Sequence, residues 1–280
     1  MNNIEVRILN EEAVAEAEKL MVMGARLTQR SQKISDMSAM LDLYHATFSD
    51  STVSNISSLP HPNIQRLGMV AIALTGVSRR FWSQFTRHQD DVHFVGGSLQ
   101  YNDYTDSAAI VVPYEILKLD AERVGNAEYE EGYFRRNFLN SARASFTDYE
   151  KAIKNGVPHD AAAYLMPFGV RQVAIVAATA WQWRHMISQR VCRRNSLETQ
   201  YVLLRCWEEL DSIGPIFEDC GPFCCQRGGC REGKFCCGHL FMETAVLDRM
   251  DKYKESLPTA FLNVNFPLLR QRQLEVSPAL

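Results

Sequence analysis

Residues 173–190 read VAIVAATAWQWRHMISQR, and this stretch decides the fold. Its first part, Val173 to Ala178, is an unbroken apolar run of strand length, which is typical of a buried strand. Trp181 to Arg190 then carries apolar residues at helical spacing. A second apolar run, Leu67 to Val77, is likewise followed by a helical pattern, Arg79 to Thr86. The sequence therefore predicts two strands that each lead into a helix.

The N-terminal part predicts one more strand and a long helix. Ile4 to Leu9 is strand-like, and apolar residues from Val14 to Leu27 recur at helical spacing. Asn10 has the side chain expected of a helix cap, and acids follow it in the first turn. Serines and two prolines between Ser51 and Asn63 predict a loop.

Helices dominate the second half. Charged and aromatic residues have helical spacing from about Asn126 to Asn155, and Gly156-Val157-Pro158 ends that helix. We expect Asp160 to cap a short helix after it and Leu197 to Leu210 to form another. These elements predict a mixed α/β (α+β) domain.

Composition narrows the function classes. The 280 residues are 46% hydrophobic and 22% charged, which is enough for one large domain at 1–238 and a C-terminal extension at 239–280. A net charge of −3 gives no general attraction to nucleic acid or to an anionic membrane. The apolar runs are too short to span a bilayer, and the first residues lack a secretion signal. We therefore expect a cytoplasmic protein.

The first segment with chemical potential is Gln84-Phe85-Thr86-Arg87-His88-Gln89, followed by Ser98-Leu99-Gln100-Tyr101. It places a cation, an imidazole and a hydroxyl near Gly96-Gly97, where backbone amides can approach an anion closely. A charged helix end followed by a tight turn explains the same pattern. Spacing alone leaves both interpretations open.

The second segment runs from His185 to Glu198 and places Arg190, Arg193 and Arg194 within about one helical turn. Such a cluster suits the recognition of phosphate or carbonyl groups. A solvated basic face is the alternative that periodicity leaves open.

The third segment contains six of the eight cysteines, between Cys220 and Cys237. Without a secretion signal, these are expected to be thiols or metal ligands. A structural zinc would take four of them, with Cys220, Cys224, Cys230 and Cys237 as candidates, and a thiol-rich loop without metal is the alternative. Zinc also supports a different function, in which a non-catalytic zinc protein binds RNA or a partner through the arginine cluster.

Taken in order, the three segments resemble the flavin-dependent thymidylate synthases. Arg87-His88-Gln89 with Ser98 to Tyr101 resembles the family signature RHRxxSxNExSxRY, one residue longer. The second segment is similar to HFLxLRLCxRAQWEI, and the third to GPxCxxxGxCxEGKxxCG, which occurs in one branch. The resemblance covers about Leu59 to Gly238. The residues on matching letters of the second motif are His185, Arg190, Cys192, Arg194 and Glu198.

This resemblance implies a central, mostly antiparallel sheet flanked by helices, a cysteine-rich C-terminal loop, and a homotetramer with shared active sites. It implies C5-methylation of a uridylate, dUMP or UMP, with FAD, NADPH and methylenetetrahydrofolate. Arg190 would be catalytic, polarising the uracil ring. Gln84, Arg87, Ser98, Leu99, Gln100 and Arg190 would bind the substrate, while His61, Arg87, His88, Gln89 and His185 would bind flavin.

The departures from the family pattern concern the substrate and cofactor contacts. Gln89 and Gln100 stand where the signature has arginines, and Ala163 replaces the arginine of ARxxLP. The Asn-x-Arg that helps hold flavin in many members falls near Thr179 and Trp181. A neutral Gln100 suits a hydroxyl better than a phosphate, so we predict that UMP is accepted.

Overall fold

The computed structural model describes residues 4–105, 109–123, 125, 129–218, 220–223, 230 and 232–236. In these residues one four-stranded sheet has the order β1-β2-β4-β3, and every neighbouring pair is antiparallel. The predicted antiparallel sheet is confirmed. The strands are β1 (Glu5–Ile8), β2 (Met69–Ser78), β3 (Val92–Gly96) and β4 (Arg171–Thr179).

As predicted, helices predominate in the second half of the described chain, where β4 is the one strand. The helices are α1 (Glu12–Arg30), α2 (Met37–His45), α3 (Asp50–Ser57), α4 (Arg79–Phe85), α5 (Tyr114–Glu122), α6 (Tyr133–Lys154), α7 (His159–Ala162), α8 (Ala180–Arg190) and α9 (Leu197–Asp211). Short 3₁₀ turns lie at Ser31–Lys33, Pro62–Arg66, Ala163–Leu165, Pro215–Phe217 and Gly233–Phe235. Among the described residues, no helix combines the length and the apolar character needed to cross a bilayer.

The two faces of the sheet differ sharply. Alternate side chains of the strands, such as Val70 and Ile72, are fully buried in one core with residues of α1, α8 and α9. On the opposite face Val95, Val173 and Ile175 are 67%, 51% and 42% exposed. Within the described part of one chain, the sheet is therefore covered on one side only.

Both central strands lead directly into helices, as the sequence predicts. Ser78 ends β2, and its hydroxyl accepts a hydrogen bond from the backbone N–H of Phe81 at 2.9 Å. Thr179 ends β4, and its hydroxyl accepts from the N–H of Gln182 at 3.3 Å. Each cap satisfies an N–H that the first helical turn leaves unpaired. The positions of α4 and α8 are thus fixed by the sheet.

Three local predictions are wrong. Asn10 does not cap α1, because its amide is used to bind Met69 and Ala71 of β2. The predicted loop from Ser51 contains α3, whose Val53 packs into the core. Asp160 is not the cap of α7, which begins after Pro158, and its carboxylate accepts from the adjacent Ala161 N–H at 2.9 Å.

A second, smaller core supports the loop after β3. Phe146 and Tyr149 of α6 pack against Met166 and Val170, and Leu99 and Tyr104 rest on this cluster. The Tyr149 hydroxyl lies 3.4 Å from the backbone N–H of Tyr104 and 3.2 Å from Nδ1 of His159. The chain from Gly97 to Tyr104 is therefore held between the sheet and α6.

Candidate functional site

A cavity of about 770 Å³ lies where the loop after β3 meets the turn after α7, and we call it the loop cavity. The predicted substrate residues Ser98, Leu99 and Gln100 line it, together with Ala163. Its other lining residues are Arg79, Trp82, Ser83, Gly96, Gly97, Asp160, Tyr164, Met166, Pro167, Phe168 and Val170.

A buried carboxylate holds the β2–α4 junction beside this cavity. Glu198 of α9 accepts hydrogen bonds from the backbone N–H and the hydroxyl of Ser78, both at 2.6 Å. Burial raises the pKa of Glu198, and the two bonds from Ser78 oppose that rise. The backbone N–H groups of Arg79 and Arg80 donate to the carbonyls of Val170 and Phe168. This network places Arg79 at the cavity wall.

Two glycines allow the wall of the cavity to pack closely. A Cβ at Gly96 would lie 2.7 Å from the ring of Trp82, which is closer than carbon atoms approach. A Cβ at Gly97 would lie 3.2 Å from Oε1 of Gln172. The double glycine is therefore required by packing, most strictly at its first position.

Polar groups lie beneath Gly97. Burial raises the pKa of the Tyr104 hydroxyl, while the side chain of Gln172 and the charge of Arg79 lower it. Gln172 is only 2% exposed, and neither of its amide atoms forms a hydrogen bond of standard geometry within the described chain. Arg79 makes a long contact of 3.5 Å with the carbonyl of Gly97. The polar atoms of Gln172 thus lie close behind the cavity wall.

A second group of predicted site residues meets at the ends of α4 and α8, and we call it the arginine cluster: Gln84, Arg87, His88, His185 and Arg190. Nε of Arg190 donates to Nε2 of His88 at 2.8 Å, and its Nη2 donates to the carbonyl of Gln84 at 3.3 Å. The rings of His88 and His185 meet edge to face, with centroids 5.9 Å apart. The arginine is therefore held at two points.

The electrostatics of the arginine cluster follow from burial and from the concentration of cations. Burial lowers the pKa of His88 to about 4, and the charges of Arg190 and His185 add to that effect. Burial also lowers the pKa of Arg190, with Arg87 as the second cause. A guanidinium stays charged at neutral pH even so. The cluster thus combines a fixed cation with a neutral imidazole.

The predicted residues fall into separate places. Ser98, Leu99 and Gln100 line the loop cavity, whereas the arginine cluster adjoins a smaller cavity of about 300 Å³ that Arg190 lines. His61 and Gln89 are exposed and line neither cavity. No sequence pattern marked Asp160, Tyr164 or Phe168 as functional, because only the folding of α7 and the turn after it brings them to the loop cavity.

The cysteine prediction is tested only in part. Cys224 and Cys237 lie outside the described residues, and Cys220 is fully buried in the main core. Cys230 lies beside Cys236 and near Cys192, which the sequence did not assign to this group. Within the described part of the chain, no three potential ligands are arranged to hold a metal. The zinc site remains a prediction.

Two arginines in and beside the second motif bond to backbone carbonyls of the chain's C-terminal part. Arg184 donates to the carbonyl of Ile216, and Arg194 donates to the carbonyl of Phe235 at 2.7 Å. The guanidinium of Arg194 also lies over the Phe235 ring, 5.2 Å from its centroid. Arg184, Arg190 and Arg194 thus each donate a hydrogen bond within the chain, while Arg194 stays exposed, and the RNA-binding alternative remains a prediction.

Comparison with known protein families gives a match over most of this fold. The family described as "Thymidylate synthase complementing protein" matches residues 10–216. The flavin-dependent thymidylate synthase of Geobacter sulfurreducens is 25% identical over 246 residues, covering 84% of this chain and 95% of its own length. The enzyme of the same name from Thermococcus onnurineus is 25% identical over 182 residues, covering 62% and 69%.

Solved structures show the same fold at low sequence identity. The UMP/dUMP methylase PolB from Streptomyces cacaoi, bound with 5-Br dUMP, has a TM-score of 0.54 at 14% identity, covering 78% of this chain and 93% of its own. Thymidylate Synthase X from Helicobacter pylori, with FAD and dUMP, has a TM-score of 0.53 at 14% identity, covering 78% and 99%.

Proposed function

Since the chain belongs to the flavin-dependent thymidylate synthase family and is therefore a methyltransferase, we propose that it methylates C5 of the uracil ring of a uridylate, dUMP or UMP. The loop cavity is the observation that carries this proposal. Its volume of about 770 Å³ is within the usual range for small-ligand sites. Ser98, Leu99 and Gln100, which match substrate-binding positions of the family signature, all line it.

We propose that Arg79 binds the phosphate group of the uridylate. Gln100 and Ala163 are neutral where the family signatures have arginines, and among the described lining residues Arg79 supplies the guanidinium. A guanidinium binds phosphate oxygens through charge and paired N–H groups. The hydroxyl of Ser98 is a second donor in the same cavity.

The lining of the loop cavity favours a substrate with an extra hydroxyl. Gln100 can donate and accept hydrogen bonds, and the carboxylate of Asp160 is an acceptor for a ribose hydroxyl. Their presence supports UMP as a substrate beside dUMP. The structural neighbour PolB is named as a methylase of both nucleotides.

We propose that Arg190 is the catalytic residue that polarises the uracil ring. A fixed cation stabilises the negative charge that develops on a uracil carbonyl when C5 becomes nucleophilic. Arg190 has this character, because His88 and the carbonyl of Gln84 hold its guanidinium and burial limits its contact with water.

The residues around the arginine cluster suit FAD, an anionic dinucleotide. Arg87 and Gln89 are exposed after α4, so their donor groups are accessible to a pyrophosphate or a flavin ring. We propose that these two residues and His185 hold FAD, with His88 able to contribute through Nδ1 and His61 as a further candidate. Bound FAD, reduced by NADPH, would supply the hydride that completes the methyl group whose carbon methylenetetrahydrofolate provides. The Helicobacter pylori structure contains FAD.

A homotetramer with shared active sites is consistent with this chain. The proposed substrate residues Ser98 and Gln100 and the proposed catalytic Arg190 line different cavities of one chain. The open face of the sheet exposes Val95, Val173 and Ile175. Light scattering should give a mass near four times 31.9 kDa; a monomer in the active preparation would contradict the shared site.

The proposed function is tested by incubating the protein with FAD, NADPH, methylenetetrahydrofolate and either dUMP or UMP, followed by detection of the C5-methyl nucleotide. FAD alone should raise the melting temperature, because a ligand of the native state stabilises it. Omission of methylenetetrahydrofolate is the control for the carbon source. If neither nucleotide is methylated and FAD has no effect on melting, the proposed function is wrong.

A further inference from the structure

The contact between His88 and Arg190 is well defined. Nε of Arg190 lies 2.8 Å from Nε2 of His88, a distance typical of an N–H donor and its acceptor. The second contact, from Nη2 to the carbonyl of Gln84, comes from the last turn of α4. The two bonds engage one edge of the guanidinium and leave its other N–H groups for a ligand.

His88 is itself held in place. Its side chain is only 8% exposed, and its ring lies edge to face between the rings of Phe85 and His185, at 5.9 Å from each. Its backbone N–H donates to the carbonyl of Phe85 at 3.2 Å. A side chain confined in this way provides a fixed acceptor rather than an adaptable one.

The hydrogen bond determines the protonation of His88. A guanidinium N–H can only donate, so Nε2 of His88 must carry a lone pair, and the proton of the neutral ring must be on Nδ1. A protonated His88 would place a cation against Arg190 without an acceptor between them. The cluster is therefore intact only while His88 is neutral.

We propose that His88 is a positioning residue that sets the orientation of the Arg190 guanidinium for the uracil ring, a role that rests on the proposed function of Arg190. His88 acts through Arg190 and need not touch the substrate. By resemblance alone His88 would be a flavin contact, and the structure adds this second role through the opposite ring nitrogen.

Activity separates positioning from a structural role. His88→Leu removes the acceptor, whereas His88→Gln keeps an oxygen near the place of Nε2. We expect kcat to fall by about tenfold to a hundredfold in His88→Leu, in line with a hydrogen bond to a charged group, and to recover mostly in His88→Gln. KM for the uridylate should change less than kcat. His93→Gln, an exposed histidine on β3, is the matched control and should behave as wild type.

A double-mutant cycle tests whether His88 acts through Arg190. Lysine at position 190 has no Nε–H group to donate to His88 in the same way. In an Arg190→Lys background, His88→Leu should therefore cause little further loss of kcat. Independent, additive losses would show that His88 does not work through Arg190 and would overturn the proposal.

An NMR measurement tests the hydrogen bond between Arg190 and His88 without relying on enzyme activity. The Nε–H resonance of Arg190, assigned by its absence in Arg190→Lys, should be protected from exchange in wild type and His88→Gln, and should lose protection in His88→Leu. An unchanged resonance in His88→Leu, or equal loss of kcat in both His88 variants, would overturn the positioning role. A wild type that forms no product would instead refute the proposed function, and the NMR result would still decide the contact.

Discussion

The loop cavity and the arginine cluster are built in different ways. The cavity is lined by residues of the loop after β3 and of the turn after α7, and its Tyr164 is 93% exposed. The arginine cluster consists of residues at the ends of two helices that follow directly from the central strands, and His88 pairs with Arg190 there. Irregular segments tolerate substitution more easily than elements fixed by a sheet. Recognition can thus change in this protein while the proposed chemistry stays in place.

The largest effect is expected at the arginine cluster. Arg190→Lys keeps the charge but loses the planar guanidinium, so kcat should fall by about a hundredfold to a thousandfold with little change in melting temperature. Arg205→Lys, on α9 with its guanidinium paired to Glu208, is the matched control and should keep full activity. Normal turnover of Arg190→Lys would show that the arginine cluster is not the region that carries the chemistry.

A smaller effect is expected where the loop cavity meets the sheet. Gly96→Ala would push a methyl group into the Trp82 ring, and we expect a loss of about 1–3 kcal/mol in the free energy of unfolding. Gly97→Ala meets only the end of the Gln172 side chain, at 3.2 Å, and should cost less. Urea denaturation measures both. Equal losses would show that the Trp82 contact does not shape the cavity.

Restoring cations to the loop cavity should change substrate preference without affecting the arginine cluster. Gln100→Arg should raise kcat/KM for dUMP relative to UMP, because the amide that suits a ribose hydroxyl is replaced by a phosphate ligand. Ala163→Arg should lower KM for both nucleotides by about tenfold, the effect of a modest charged hydrogen bond. Steady-state kinetics with both nucleotides provides the ratio. A wild type that uses dUMP and wholly ignores UMP would refute the hydroxyl preference.

The smallest effect is expected in the pH dependence of stability, because two groups oppose each other. Burial above all lowers the pKa of His88 from 6.5 to about 4. Between pH 6.5 and about pH 4 the unfolded chain therefore carries a proton on His88 that the folded protein lacks, and stability falls as pH falls. Burial, followed by Glu218, raises the pKa of Asp211 from 3.8 to about 6, so in an overlapping range stability falls as pH rises.

Two variants separate these contributions. The free energy of unfolding lost between pH 7 and pH 5 should be smaller in His88→Gln than in wild type. In Asp211→Asn that loss should be larger than in wild type. Urea denaturation at the two pH values measures the differences. If His88→Gln leaves the pH dependence unchanged, His88 is not the buried neutral base that the arginine cluster requires.

The sequence predicts the arginine cluster better than the loop cavity. Apolar runs and helical spacing locate β2, β4, α4 and α8, and the family resemblance then identifies His88 and Arg190 at their ends. Those positions follow from regular structure, which has a period that a sequence can show.

The rest depends on contacts that have no local signal. The short strand β3 turns Val92 and Phe94 toward the core, but Val95 is apolar and exposed, so its five residues give too little polar alternation to identify a strand. Arg79 and Asp160 meet at the loop cavity through backbone bonds between distant segments, such as that from Arg79 to Val170. The extended loop expected at Ser51 is helical because Val53 finds a place in the core, which outweighs the low helix propensity of serine.

The antiparallel pairing of β2 with β4 restricts where this chain can change length. Ser78 pairs with Arg171 at one end of the ladder and Thr179 pairs with Met69 at the other, so α4 and α8 start at opposite ends and approach each other at His88 and Arg190. One residue inserted in either strand would displace its helix by about 3.3 Å. Insertions and deletions should therefore be excluded from residues 69–88 and 171–190. The extra residue relative to the family signature lies between His88 and Ser98, outside both segments.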